Sequence, residues 1–279
     1  MILIDSNNLA YIAFFSLGDL SEGEERTGTI FGFLNIVNRI AAKFGGDMVF
    51  CFDSKKNFRK NKNREYKANR HKDLTHEKKI ELNQMHRQIT ALRKEVLPQM
   101  GFNNIRISPG YEADDIIAQY ALKYKKAVIV STDKDLFQLL TKDVSIYDPR
   151  AKKVFTKRDF IKRYGITPKQ WPRVKAIAGD PSDNIKGIKG VGEKTAIKFI
   201  KGKLKEESVA HKNITTNLEL VLENKKLVRL PYLGKQLKHP YIENELTKER
   251  FIKTFDSLRF LYYLKDAQFK KWEENFELC

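Results

Sequence analysis

Residues 127–135 read Ala-Val-Ile-Val-Ser-Thr-Asp-Lys-Asp, an apolar run that ends in two aspartates. A short apolar run without polar alternation is typical of a strand that is buried on both faces. Similar runs at 2–4 and 48–52 are followed directly by Asp5 and Asp53. Strands of this kind are typical of parallel sheets with helices on both faces. The sequence therefore predicts an α/β fold with a mostly parallel central sheet.

Apolar residues recur with helical spacing between and after these strands. In the first part of the chain this spacing predicts helices over 29–44, 75–97 and 111–124. The strand pattern fades beyond about residue 165, and the predicted helices there are 171–178, 194–200, 217–224 and 248–264. We therefore predict an α/β catalytic region at 1–165 and a helical region at 166–279.

The charge balance indicates the partner. The chain carries 53 Lys and Arg against 35 Asp and Glu, a formal net charge of +18. So large an excess predicts a polyanionic partner, although a merely soluble basic surface is the simpler alternative. No basic amphipathic helix with an aromatic and leucine face occurs, and no stretch approaches the roughly 18 apolar residues of a membrane span. We expect nucleic acid as the partner, and no membrane.

Cysteine content and the N-terminus indicate the compartment. Two cysteines, Cys51 and Cys279, are too few for a disulfide framework or a Cys-based zinc site. The short apolar start before Asp5 has no signal-peptide pattern. We expect a cytoplasmic protein.

Carboxylates gather where the predicted strands end. Parallel strands of an open sheet share one carboxyl edge, and ligands bind there. Any single aspartate could instead cap the helix that follows it. Further acidic clusters at 112–115 and 179–184 favour a shared site over separate caps. The candidate metal ligands are Asp5, Asp53, Glu112, Asp114, Asp115, Asp133, Asp135, Asp180 and Asp183.

So many carboxylates cannot all be ionised in one cleft unless cations are present. Ligand motifs that offer oxygen atoms and neither Cys nor His select a hard ion, Mg²⁺ or Mn²⁺. Two such ions about 4 Å apart are the usual apparatus for in-line displacement at a phosphodiester. The sequence therefore predicts an acidic two-metal site within a basic chain.

A basic segment begins directly after Asp53. Residues 54–72 contain nine Lys and Arg and one Glu, and we predict a basic arch over about 54–97. A solvated loop is the simpler interpretation of such a run. Its aromatic residues, Phe58 and Tyr66, could stack on exposed bases of a single strand that passes the segment. We predict nucleic-acid contacts for Arg59, Arg64 and Tyr66.

Residues 187–196 read Gly-Ile-Lys-Gly-Val-Gly-Glu-Lys-Thr-Ala, between two predicted helices. This pattern predicts a helix-hairpin-helix element over about 171–200, although a plain glycine-rich connector would share its glycines. The glycines would present backbone N–H groups to phosphates and adopt φ values that a β-branched residue resists. The Gly and Lys spacing of a nucleotide triphosphatase loop is absent. The predicted phosphate contacts are Lys189, Gly190, Gly192 and Lys194.

These motifs, in this order over residues 1 to about 200, resemble those of the 5′-nuclease superfamily. That superfamily includes flap endonucleases, the 5′→3′ exonuclease domain of bacterial DNA polymerase I, and phage enzymes that remove RNA primers. The resemblance is carried by Ile-Asp5-Ser-Asn, Phe-Asp53-Ser, Tyr66-Lys67-Ala-Asn-Arg70, Tyr-Glu112-Ala-Asp-Asp115, Ser-Thr-Asp133-Lys-Asp135, Gly-Asp180-Pro-Ser-Asp183-Asn184 and Gly-Val-Gly-Glu-Lys-Thr-Ala.

The resemblance implies roles for the site residues. Lys67 and Arg70 match basic residues of the family's helical arch that steer the scissile phosphate, and Asp115 would lie close to both metal ions. In this family the hairpin's carbonyls often hold a K⁺ ion. One Mg²⁺ or Mn²⁺ site would be formed by Asp5, Asp53, Glu112 and Asp114, and the other by Asp133, Asp135, Asp180 and Asp183.

The activity that the resemblance implies is hydrolysis near 5′ ends or flaps of DNA or of RNA–DNA duplexes. The expected partners are flapped, nicked or single-strand/duplex junction DNA and RNA–DNA hybrid. No protein partner is indicated, since residues 269–279 do not match the family's sliding-clamp peptide. One alternative is a PIN-type ribonuclease, which usually lacks a helix-hairpin-helix. The other is a non-catalytic protein that binds branched DNA, a class that loses metal ligands.

Overall fold

The computed structural model describes residues 1–17, 20–22, 25–70, 74–234 and 238–278, without the side chains of residues 21, 22 and 25. Two sequence predictions lie outside the described residues. They concern Cys279 and residues 71–73, which belong to the predicted basic arch.

A six-stranded sheet forms the centre of the protein. Its strand order is β5-β4-β1-β6-β7-β8, parallel throughout except for β8, which pairs antiparallel with β7. The predicted mostly parallel α/β fold is therefore confirmed. Within the described ranges the strands are β1 Ile2–Asp5, β2 Ser21–Glu22, β3 Glu25–Arg26, β4 Met48–Phe52, β5 Ile105–Ile107, β6 Ala127–Val130, β7 Val144–Asp148, β8 Lys153–Phe155, β9 Gly179–Asp180 and β10 Ile185–Lys186.

Helices cover both faces of this sheet and make up most of the chain beyond it. None of the described helices combines the length and apolarity needed to cross a membrane. In chain order the helices are α1 Ser6–Leu17, α2 Gly28–Phe44, α3 Phe58–Lys62, α4 His76–Ala91, α5 Leu97–Gln99, α6 Ala113–Tyr124, α7 Lys157–Tyr164, α8 Trp171–Ala178, α9 Glu193–Ile200, α10 Val209–Thr216, α11 Leu218–Val228, α12 Lys248–Ser257, α13 Leu261–Leu264 and α14 Asp266–Phe276.

The strands contribute to two apolar cores, one on each face of the sheet. Leu3 and Val49 pack into the core formed with α6, α8 and α11, whereas Ile4 and Phe50 pack into the core formed with α1, α2 and α4. Successive side chains of a strand point to opposite faces, so a strand covered on both faces is apolar throughout. This packing explains the unbroken apolar runs in the sequence.

The helical residues after 165 divide between the two faces. Helices α7 to α11 join the core on the α6 face. Phe251 and Trp272, from α12 and α14, instead join the core on the α1 and α2 face. The chain reaches that face along the edge strand β5, where Asn104 and Ile242 bond to each other. The predicted boundary at 165 remains a prediction, but 166–279 does not form one helical layer.

Two predicted helices differ in detail from those in the structure. Residues 75–97 are helical but contain a π-helical stretch at Leu92–Val96, between α4 and α5. The helix predicted over 248–264 is interrupted between α12 and α13, where Arg259 has a φ of 53°. A left-handed residue cannot continue a right-handed helix, so the apolar spacing spans two helices.

Candidate active site

A cavity of about 420 Å³ lies at the carboxyl edge of the central sheet. Asp5 ends β1, Asp53 follows β4 directly, and Asp133 lies three residues beyond β6. Because β1 pairs in parallel with both β4 and β6, these three chain positions meet at one edge. The predicted site residues that line the cavity are Asp5, Asp53, Lys67, Arg70, Glu112, Asp114 and Asp133.

The start of α6 supplies the next carboxylates. Glu112 is the N-cap residue, and it forms a capping box in which its own N–H donates to Asp115. Asp114 stands in the first helical turn and lines the cavity together with Glu112. A helix N-terminus favours negative charge, which makes this end of α6 a suitable support for two acidic groups.

Four of these carboxylates have no basic side chain within 4 Å among the described residues, and we call them the unpaired carboxylates: Asp5, Asp53, Asp114 and Asp133. Burial, and next the charge of Asp53, raises the pKa of Asp5 from 3.8 to about 7, although Ser131 and the Asn8 N–H donate to it. Burial and the neighbouring Asp133 raise the pKa of Asp114 well above its usual range. The basic side chains nearby only partly offset these effects, and a cation placed among the four groups would relieve their repulsion.

The other carboxylates of the site contact basic side chains, and we call them the paired carboxylates: Glu112, Asp135, Asp180 and Asp183. The Lys67 ammonium contacts Glu112 and lies 3.7 Å from Asp183, and Arg70 Nη2 lies 2.7 Å from Asp183 Oδ1. Burial opposes ionisation of Glu112, but Lys67 and Arg59 bring its pKa below the usual range.

Lys175, on α8, holds the remaining two paired carboxylates. Its ammonium lies 3.0 Å from Asp135 Oδ1 and also contacts Asp180. Burial raises the pKa of Asp180, but the hydrogen bonds from Lys175 and Ser182 bring it below the usual range. The pKa of Asp135 still rises to about 7, because burial and the charge of Asp133 outweigh the single ammonium.

A basic turn places Lys67 and Arg70 beside the carboxylates. The backbone N–H of Lys67 donates to Asp183 O at 2.8 Å, and Asn69 Nδ2 donates to Pro181 O at 2.9 Å. From the other side, Asn184 Nδ2 donates to Glu65 O at 2.7 Å. The turn at 63–70 and the turn at 180–184 are therefore one hydrogen-bonded unit, with Lys67 at a left-handed φ of 56°.

Three sequence predictions are corrected by this geometry. Tyr66 is 3% exposed and cannot stack on an exposed base; its hydroxyl lies 2.9 Å from Glu112 Oε2 and 3.0 Å from Asp183 Oδ2. Arg59 is 2% exposed and pairs with Asp115, so it cannot contact nucleic acid. Asp115, expected close to both metal ions, is 0% exposed, pairs with Arg59 and does not line the cavity.

The predicted hairpin lies between α8 and α9, outside the cavity lining. Ile188 and Val191 are buried, while Lys189 and Lys194 are exposed. Gly190 has a φ of +77° with open space around it, as the pattern predicts. The prediction is wrong for Gly192, whose φ of −89° is accessible to any residue.

Several residues that organise the site were not predicted from the sequence. Lys175 is the most important, and the only signal for it is a basic residue one helical turn before the acidic 179–184 cluster. Asn8 and Ser131 donate to Asp5, and Asn69 and Asn184 join the two turns. Asn and Ser are common in turns for local reasons, so their sequence positions did not identify these contacts.

In the described part of the chain, no group of three or more His, Cys, Asp or Glu side chains is arranged to hold a metal ion as it stands. Lys67 and Lys175 supply positive charge to the paired carboxylates instead. The unpaired carboxylates surround open cavity space, and all of them offer hard oxygen donors. The donor chemistry therefore fits a hard divalent cation, although the ligand geometry is not preformed.

Two family models match the chain. The model described as "5′-3′ exonuclease, N-terminal resolvase-like domain" matches residues 1–165, and the model described as "5′-3′ exonuclease, C-terminal SAM fold" matches residues 166–238. The chain therefore belongs to the 5′-3′ exonuclease family, and the resemblance to 5′-nucleases is confirmed.

Curated relatives agree with this assignment. The chain is 36% identical over 228 residues to the thermostable DNA polymerase I of Thermus thermophilus, covering 79% of this chain and 25% of the polymerase. It is 35% identical over 208 residues to the 5′-3′ exonuclease of Aquifex aeolicus, covering 72% of this chain and 68% of that protein. The chain thus spans about a quarter of the polymerases that it matches.

Solved structures share the fold. A T5 5′-exonuclease with bound zinc superposes with a TM-score of 0.72 at 24% identity, covering 83% of this chain and 89% of the other. The catalytic core of Rad2 with a DNA substrate gives a TM-score of 0.56 at 16% identity, covering 98% and 89%. At these identities the likeness establishes the fold alone.

Proposed function

We propose that this chain is a divalent-metal-dependent 5′-nuclease that hydrolyses phosphodiester bonds near 5′ ends or flaps of DNA and RNA–DNA duplexes. The observation that carries the proposal is the carboxylate-lined cavity at the sheet edge, with Lys67 and Arg70 beside it, in a chain of net charge +18. A carboxylate cluster repels nucleic acid unless cations neutralise it, whereas the basic surface attracts nucleic acid. Family membership and the exonuclease relative support the same reaction.

We propose Mg²⁺ as the resident cation, with Mn²⁺ as a substitute, because every candidate donor is an oxygen. One ion would be held by Asp5, Asp53, Glu112 and Asp114, and the second by Asp133, Asp135, Asp180 and Asp183. Bound ions would activate the attacking water and stabilise the leaving oxygen. We also propose K⁺ at the hairpin carbonyls near Gly190.

The chain's own cations would position the substrate. Lys67 and Arg70 stand at the cavity wall, where a scissile phosphate could exchange for the carboxylates that they now contact. Such contacts strengthen as negative charge develops on the phosphate, so they favour the transition state. The exposed Lys189 and Lys194 of the hairpin would hold duplex phosphates away from the cut, without reading sequence.

The test is a cleavage assay on four labelled substrates: a 5′-flap, a nicked duplex, an RNA–DNA hybrid and a single-stranded RNA. We expect cleavage of the first three near the 5′ end with Mg²⁺ and none with EDTA. Asp133→Asn should cleave far more slowly than the parent chain, while Asp143→Asn, a change at an exposed aspartate outside the cavity, should be fully active.

The two alternative functions give different results in the same assay. Cleavage confined to single-stranded RNA would favour a PIN-type ribonuclease. Tight binding of flapped DNA without cleavage, in Mg²⁺ and in Mn²⁺, would favour a non-catalytic branched-DNA-binding protein. Either result would overturn the proposed 5′-nuclease activity.

A further inference from the structure

A buried ion pair lies behind the carboxylate site, outside the cavity lining. Arg59 comes from α3, close after Asp53, and Asp115 comes from the first turn of α6. Arg59 Nη1 donates to Asp115 Oδ2 at 2.7 Å, and Nη2 donates to Oδ1 at 2.8 Å. The two side chains are 2% and 0% exposed, so this bidentate pair is shielded from solvent.

Asp115 accepts from four donors. Besides the two guanidinium contacts, its Oδ2 accepts from the Glu112 N–H at 3.0 Å and its Oδ1 accepts from the Tyr232 N–H at 2.8 Å. A carboxylate has about four lone-pair positions, and here every one has a donor. Asp115 therefore has no free oxygen lone pair for a metal ion unless it gives up one of these contacts.

Arg59 is held on three sides. Its Nε donates to the Leu227 carbonyl at 2.8 Å, its Nη1 lies 3.2 Å from Glu112 Oε2, and its guanidinium stacks on the Tyr232 ring at 4.5 Å from the ring centre. A planar guanidinium can meet all these partners at once, whereas the single ammonium of lysine cannot.

The pair connects three parts of the chain: α3, the start of α6, and the 227–232 segment that follows the helix-hairpin-helix. It acts on the site through the Glu112 N–H and the Glu112 carboxylate. Asn57, which caps α3, reaches the same carboxylate, with Nδ2 3.1 Å from Oε1. The orientation of Glu112, and of Asp114 beside it, thus depends on this cluster.

We propose that Arg59 and Asp115 are positioning residues, which hold Glu112 and Asp114 in the arrangement that binds a divalent cation, and that Asp115 is not itself a ligand. The part that concerns the cation rests on the proposed function. The part that concerns the buried pair rests on the contacts alone, and the test below keeps the two apart because it needs no nuclease activity.

The test compares Arg59→Met, Asp115→Asn and the double variant Arg59→Met/Asp115→Leu in the full chain, with Lys62→Met as a matched control on the exposed side of α3. Thermal unfolding in EDTA measures stability, and calorimetric titration with Mn²⁺, without nucleic acid and well below the unfolding temperature, measures metal affinity. Arg59→Met leaves Asp115 without its cation, and Asp115→Asn leaves Arg59 with Glu112 as its remaining acidic contact. We therefore expect the melting temperature to fall by about 10 °C and Mn²⁺ affinity by about 10-fold.

The double variant removes both charges and replaces them with apolar side chains of similar volume, which buried ion pairs often tolerate. We expect it to regain most of the lost melting temperature but to keep the roughly 10-fold loss of Mn²⁺ affinity, because Glu112 still lacks its contacts to Asp115 and Arg59, and the control should be unchanged. Arg59→Lys keeps the charge but loses the bidentate contact to Asp115. It should fold, with a melting temperature and a Mn²⁺ affinity between those of the parent chain and Arg59→Met.

Three results would overturn the proposal. If Asp115 is a ligand, Arg59→Met, which frees its carboxylate oxygens, will bind Mn²⁺ at least as tightly as the parent chain, while Asp115→Asn will lose affinity. If the pair is merely structural, the single variants will melt early but bind Mn²⁺ normally. If neither the parent chain nor any variant binds Mn²⁺ while the melting temperatures follow the expected pattern, the proposed metal site is ruled out. Only the stabilising role of the Arg59–Asp115 ion pair would then remain. Where a single variant does not fold, Arg59→Lys supplies the comparison.

Discussion

The unpaired and the paired carboxylates lie beside each other, but they differ in whether a basic side chain compensates their negative charge. Asp5 and Asp114 have no basic side chain within 4 Å among the described residues, and burial raises their pKa values. Glu112 and Asp180 are also buried, but Lys67 and Lys175 lower their pKa values. The proposed metal ions would therefore supply charge that the unpaired carboxylates lack, whereas at the paired ones a metal or a phosphate would have to displace an internal cation.

The largest effect is expected when an unpaired carboxylate is neutralised. Asp133→Asn should lower the rate of cleavage on the order of 10³-fold, because several kcal/mol of metal-supplied charge stabilisation is lost. Affinity for flapped DNA in Ca²⁺ should stay the same or rise, since one negative charge near the phosphate is gone. The measurement is single-turnover cleavage alongside equilibrium binding. Near-normal turnover at millimolar Mg²⁺ would contradict a metal role for this residue.

Lys67 provides the second test, because it is the internal cation of Glu112 and Asp183. Lys67→Ala should lower the single-turnover rate about 100-fold while affinity falls by less than about threefold, if the ammonium acts mainly on the transition state. Lys62→Ala, on the exposed side of α3, is the matched control. Weaker binding with an unchanged rate would show that the turn is only an attractive basic surface.

Metal-free stability should change in opposite directions for the two kinds of carboxylate. Asp133→Asn keeps the acceptor for the Asp135 N–H and removes a repulsive charge, so we expect a gain of about 1 kcal/mol in EDTA. Asp180→Asn turns an amide toward the Lys175 ammonium and should cost about 1–2 kcal/mol. Urea unfolding of both variants in EDTA measures these changes in the free energy of unfolding. If both variants are stabilised, or both destabilised, the distinction between unpaired and paired carboxylates is contradicted.

The same contrast predicts the pH dependence of metal-free stability. The pKa of Asp5 is about 7 in the folded chain and 3.8 in its reference state, so the folded protein retains a proton that the unfolded chain releases. The stability from this group is complete below about pH 4, falls as pH rises to about 7, and is then constant. Asp135 adds to this trend, since its pKa is also raised to about 7.

Glu112 behaves in the opposite way, because its pKa is lowered below 4.5 and its contribution is lost only as pH falls below that value. Unfolding in EDTA between pH 4 and 8 should therefore show a decline in stability that becomes shallower in Asp5→Asn. An identical slope in the parent and in Asp5→Asn would mean that Asp5 is ionised throughout this range.

The sequence was sufficient to predict which aspartates meet at the edge of the sheet, but not which carboxylates form ion pairs with basic side chains. Strands β1, β4 and β6 are apolar throughout and each is followed closely by an aspartate, so topology alone brings Asp5, Asp53 and Asp133 together. The edge strands β5 and β8, and β7 beside β8, were missed. Two of them are only three residues long, and their polar residues break the apolar run.

Side-chain direction accounts for the errors at the site. Asp114 and Asp115 are adjacent in sequence, yet successive residues of a helix point about 100° apart, so one faces the cavity and the other faces Arg59. Arg59 looked like any other cation of the basic arch, because its partners at 115, 227 and 232 are distant in sequence. Long-range pairing of this kind has no local signature.

The hairpin gives the smallest expected effect and the cleanest control, because it lies outside both sets of carboxylates. Lys194 is exposed at the start of α9, where we expect a contact to one duplex phosphate. Lys194→Ala should weaken binding to all duplex sequences alike and reduce the slope of log K against log salt by about one unit.

Salt titrations with flapped DNA in Ca²⁺, compared with a free single strand, measure this change in slope. The metal-free stability of Lys194→Ala and its pH dependence should not change. Equal losses of affinity for duplex and for single-stranded DNA would show that the hairpin does not bind duplex specifically. A changed pH dependence would show that the hairpin is coupled to the carboxylates, and the contrast between paired and unpaired groups would then extend beyond the cavity.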